Sequence, residues 1–79
     1  MNKTTVSLNE IADRAEQISD RDAAARVSRT LRSLAVQASG TPGLPSDTGT
    51  KLAALADYEE IRWSSGAVAL WREAAAAVG

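Results

Sequence analysis

The sequence predicts an all-α protein, a small three- or four-helix bundle with short antiparallel connections and one Pro/Gly-rich loop at about 40–50. Three observations carry that expectation. Apolar residues recur at helical spacing through most of the chain, strand patterning is nearly absent, and both prolines, Pro42 and Pro45, fall in one short stretch.

The first helix is expected over about 8–18. Ser7-Leu8-Asn9-Glu10 reads as a capping box, with Val6 and Ile11 placed to close it as a hydrophobic staple. Leu8, Ile11, Ala12, Ala15 and Ile18 then form one apolar stripe, leaving Asn9, Asp13 and Glu16 outward. A second start follows at once, because Ser19 or Asp20 can cap and Asp22 puts acidic charge in the first turn. Helix 2 carries Ala24, Val27, Leu31, Leu34 and Ala38 on a narrow apolar face and ends near Ser39, where Gly40 and the following Thr-Pro-Gly-Leu-Pro cannot continue it. Residues 40–50 form the one loop of consequence, with Leu44 as its anchor. A third helix starts between Ser46 and Thr50 and places Leu52, Leu55, Ala56, Glu59 and Trp63 on one face, while Tyr58 and Ile61 point elsewhere. Ser64-Ser65-Gly66 predicts a break near 60–66, followed by a last helix over about 66–78 with Val68, Trp71, Ala75 and Val78 inward.

Seventy-nine residues make one small domain, 1–79. Its core is expected to be thin, since sixteen alanines stand against nineteen larger apolar residues and Phe is absent. Chains of this size usually need a metal, disulfides, very regular helix packing or a partner chain. The absence of Cys and His removes thiolate and imidazole metal sites, redox pairs and Cys or His nucleophiles. No Gly-rich phosphate loop, GxSxG or HExxH motif occurs, no EF-hand ladder is present, and no cofactor is expected. Asp57, Glu59 and Glu60 are the candidate acid–base carboxylates, but adjacent helical residues do not face one another, and all three read as solvated charges. The chain is therefore expected not to be an enzyme.

Nine basic residues against ten acidic give a net charge of −1, so no global field favours nucleic acid or a membrane. Residues 1–40 net +1 and residues 41–79 net −2. With no apolar run long enough to span a bilayer and no signal-peptide core, a cytoplasmic location and no membrane partner are expected.

Arg26, Arg29 and Arg32 are the leading polar feature. Their i, i+3, i+6 spacing spreads them over about 120° opposite the apolar face of helix 2, so they can project together toward phosphates or an acidic partner. An ordinary wet face with an Asp22–Arg26 pair is the bland alternative. Trp63 and Trp71 read first as packing anchors, and a partly exposed Trp would mark an interface. The Ala74–Ala77 run allows close helix approach within the chain or across a two-fold axis.

Residues 6–15, Val-Ser-Leu-Asn-Glu-Ile-Ala-Asp-Arg-Ala, resemble the first helix of LacI- or MerR-type helix-turn-helix regulators, and Val27-Ser28-Arg29-Thr30-Leu31-Arg32 resembles the start of their recognition helix. In those families the two pieces flank a short glycine-containing turn; here eleven residues separate them and no Gly lies between 2 and 39. The resemblance implies DNA contacts by Arg29, Thr30 and Arg32, with Arg26 and Arg21 near phosphates. Ala23–Ala25 running into Val27 favours one continuous helix instead.

By elimination the expected function is binding. The first reading is a non-enzymatic, protein-binding regulatory or inhibitory module of the phage or mobile-element type, contacting its partner through Arg26, Arg29, Arg32 and Trp71. A DNA-binding transcriptional regulator with a divergent helix-turn-helix is the alternative, and a self-assembling structural subunit, such as a homodimer, is the second alternative.

Overall fold

In the computed structural model, which describes residues 2–62 and 66–78, the chain forms four helices and no strand appears among the described residues. They are α1 (Lys3–Ala15), α2 (Arg21–Ala38), α3 (Thr48–Arg62) and α4 (Ala67–Val78). The expected interruption after residue 60 is present as the gap between α3 and α4; Trp63, Ser64 and Ser65 lie outside the described residues.

Helix α1 begins four residues before Ser7, which corrects the capping-box expectation. Asn2 is the cap: its side-chain oxygen accepts from the Thr5 amide at 2.8 Å, and its side-chain amide donates to the Ala38 carbonyl at 2.9 Å. Thr5 is buried and its hydroxyl donates to the Ala35 carbonyl at 3.3 Å, so tertiary bonds to the end of α2 draw residues 3–6 into the helix. Val6 is 40% exposed and so is no buried staple. The helix also stops at Ala15, and Ile18 packs against the core from the corner beyond it.

Asp20 caps α2, accepting from the amides of Asp22 and Ala23 at 3.1 and 3.2 Å. Arg21 turns back and donates to the carbonyls of Glu16 and Ile18, both at 3.2 Å, which satisfies acceptors left at the end of α1. The loop that follows α2 carries Gly43 at φ 93°, a left-handed value that a side chain would strain. Leu44 packs against the core as expected. Thr48 opens α3, its hydroxyl donating to the Pro45 carbonyl at 2.7 Å.

One core cluster draws on all four helices, including Leu8 and Ile11 of α1, Val27 and Leu31 of α2, Leu52 of α3, and Leu70 and Trp71 of α4. Half of its buried members are alanine, which lets backbones approach closely but buries little area per residue. Helix α4 packs on α1, α2 and α3. Helix α3 packs on α4 and, among the described residues, brings no Cα within 8 Å of α1 or α2. The buried face of α4 is Ala67, Leu70, Trp71 and Ala74, with Val68, Ala75 and Val78 only partly buried. Of the expected inward set, Trp71 is buried and Ala75 and Val78 pack against the core, while Ala67, Leu70 and Ala74 extend the buried face beyond it, because α4 meets three helices and not one.

Candidate functional site

Arg26, Arg29 and Arg32 of α2 do not form a comb. Arg26 ion-pairs with Glu59 of α3 at 2.7 Å, and Arg32 holds Asp13 at 2.6 Å together with Glu16, both on the α1 side. Arg29 alone of the three is exposed and makes no ion pair among the described residues. The side chains at 26 and 32 stand about 120° apart around α2, at the two margins of its polar side, and each margin meets a carboxylate of a neighbouring segment.

Glu59 is the residue that sequence reasoning misjudged. It is 2% exposed, and its two carboxylate oxygens have different partners: one accepts from Arg26, the other from the Trp71 indole N–H at 3.2 Å. One buried carboxylate therefore ties α2, α3 and α4 together, with its charge answered by the guanidinium. The signal was present, because Glu59 shares a face with Leu52 and Ala56, and both are buried. Asp57 and Glu60 are exposed, as expected, and pair with Arg72 of α4 at 3.4 and 2.8 Å. Trp71 is 3% exposed and belongs to the core, which corrects its assignment as a partner-contact residue. Its large ring is the bulk that an alanine-rich interior requires.

Arginine braces thus run around the molecule. Arg32 joins α2 to α1, Arg14 joins α1 to Glu73 of α4 at 2.6 Å, Arg72 joins α4 to α3, and Arg26 joins α2 to α3. Hydrogen bonding to Glu73 raises the pKa of Arg14, and hydrogen bonding to Asp13 and then Glu16 raises that of Arg32.

Toward the Pro/Gly loop from the Arg26–Glu59 pair, the flank between α2 and α3 is open. A groove of about 270 Å³ runs there, walled by Thr30, Leu34 and Gln37 of α2 and by Lys51, Leu52 and Leu55 of α3, with Pro45 and Thr48 at one end. Its floor is leucine, and Lys51 is its one charged lining residue, itself 3.4 Å from Asp47. From the edge of the groove an apolar row continues along α3: Leu55, Tyr58 and Ile61 are 39, 51 and 82% exposed. These positions, three residues apart, share one side of the helix. A second, larger recess between α1 and α4 is lined by Ser7, Glu10, Ile11, Arg14, Glu73 and alanines 76 and 77, and the Arg14–Glu73 pair sits within its lining.

The two segments that resemble helix-turn-helix pieces are placed differently from that motif. Residues 27–32 lie in the middle of the single helix α2, with Val27, Ser28 and Leu31 buried; Thr30 lines the groove and Arg21 caps α1. No group of three Asp or Glu residues is gathered to hold a metal, and no helix is long and apolar enough to cross a membrane, among the described residues. Compared with protein-family models, curated proteins and solved structures, the chain matches none.

Proposed function

We propose that this chain is a non-enzymatic protein-binding module, regulatory or inhibitory in effect, that acts by laying the solvent side of α3 and the adjoining α2–α3 groove on a protein surface. The supporting observation is the row Leu55, Tyr58 and Ile61. Of the five large apolar side chains that are substantially exposed among the described residues, three stand together here, while Val6 and Val36 stand on other helices. Isolated exposed apolar residues are ordinary, but a contiguous row beside an apolar groove is what protein interfaces use. Arg29 is the one member of the arginine set retained as a partner contact; Arg26 and Arg32 act as braces and Trp71 as core.

The test is site-specific photo-crosslinking in the cells that make the protein. A photo-reactive side chain at position 58 or 61 is expected to yield an adduct of defined mass, whereas the same group at exposed Glu10 on α1 yields none. Equal adducts at all three positions, or none at 58 and 61, contradict the reading. Titration of labelled mixed-sequence duplex DNA supplies the other arm. Salt-sensitive binding that Arg29→Ala weakens would put the DNA-binding alternative first.

A further inference from the structure

We infer that the protein which α3 takes is a second copy of this chain, the α3 row of each copy lying in the α2–α3 groove of the other across a two-fold axis. The inference rests on the reading of α3 as a contact surface and names its occupant.

Self-complementarity is the first argument. The groove wall and the row are both on α3 and share Leu55, so a single two-fold operation seats both rows at once, as an isologous interface requires. Size is the second. About 270 Å³ lies just below the roughly 300–1,000 Å³ of small-molecule pockets, and suits a few inserted side chains better than a cofactor. Charge is the third. No carboxylate lines the groove, its one cation already has Asp47 beside it, and the row brings no ionised group, so neither surface leaves a buried charge unanswered.

Area makes the fourth. A standard interface buries about 800 Å² per partner, roughly a sixth of the 4811 Å² surface of this chain. A 15-residue α3, about 22 Å long, and the α2 wall from Thr30 to Gln37 are the surfaces that would supply it. A core half made of alanine, in a chain without disulfides, is where burial between copies adds most to stability.

Sedimentation velocity of the full chain from about 1 to about 200 μM, a range that resolves micromolar association, tests this. The expected result is a shift from one copy of 8.3 kDa to a mass twice that. Ile61→Glu should abolish the shift with far-UV helicity unchanged, since Ile61 is 82% exposed in the single chain. Gln37→Trp, which fills the groove from the α2 wall and alters nothing on α3, should abolish it as well. Val36→Glu, on the outer side of α2 and 74% exposed, should leave it intact. A wild-type chain that stays monomeric to the highest concentration overturns the inference. So does a trimer or open polymer, and so does a dimer that Val36→Glu breaks and Ile61→Glu does not. The broader reading of α3 is tested separately by the crosslink: an adduct whose added mass is not a second copy overturns this inference and leaves that reading standing.

Discussion

The hairpin of α1 and α2 and the helix α3 are built from similar residues and end up in opposite conditions. The hairpin is closed at both ends by side-chain hydrogen bonds to the backbone, from Asn2 and Thr5 to the carbonyls of Ala38 and Ala35, and from Arg21 to those of Glu16 and Ile18. Its larger apolar residues, Val6 and Val36 apart, are buried or partly buried. Helix α3 has α4 as its packing neighbour, one buried carboxylate linking it to α2, and three large apolar side chains facing out. The difference teaches where a chain of this size leaves apolar surface in solvent: on the helix that, among the described residues, packs closely against one neighbour.

Substitutions can break that contrast in order of expected size. Trp71→Ala removes the largest core side chain and the indole donor together. It should cost about 3–5 kcal/mol and loosen both regions, read as the shift in urea midpoint. Glu59→Ala removes the carboxylate that pairs with Arg26 and accepts from the indole N–H, and should cost about 3 kcal/mol, the low end for a broken buried pair because the Arg26 side chain is a third exposed. Glu59→Gln, which keeps an acceptor for Trp71, should cost less; equal losses would mean that the ion pair and not the indole bond carries the effect. At the hairpin end, Asn2→Ala should cost about 1 kcal/mol while Ser7→Ala changes stability by less than about 0.5 kcal/mol. The reverse order would restore the Ser7 capping box. Arg32→Ala should have a small effect that fades as salt is raised, because its pairs with Asp13 and Glu16 are solvent-exposed.

Much of the fold was legible because periodicity and punctuation agree there. Asp20 as a cap, the stop near Ser39, the Leu44 anchor and the break after residue 60 each follow from a local rule and hold. The start of α1 was not legible, because it depends on Asn2 and Thr5 reaching carbonyls more than thirty residues away. The arginines were misjudged for the same reason. Helical spacing shows that Arg26, Arg29 and Arg32 share the polar half of α2, but which of them meets a carboxylate depends on where Asp13, Glu16 and Glu59 are brought by other helices. Tyr58 and Ile61 were read as pointing away from the α3 face, and they do. That they stand out in solvent as a row appears only once α3 is seen, among the described residues, to bring its backbone close to α4 and to neither α1 nor α2.

The claim that the outer side of α3 is a contact surface, and the α1–α2 hairpin is not, is tested most directly by peptide-resolved hydrogen–deuterium exchange on the full chain at about 1 and about 200 μM. The account predicts that amides in 52–61 and 30–37 slow on concentration while those in 5–15 keep the same rates. Unchanged exchange in α3 at both concentrations, or slowing confined to 5–15, would contradict it.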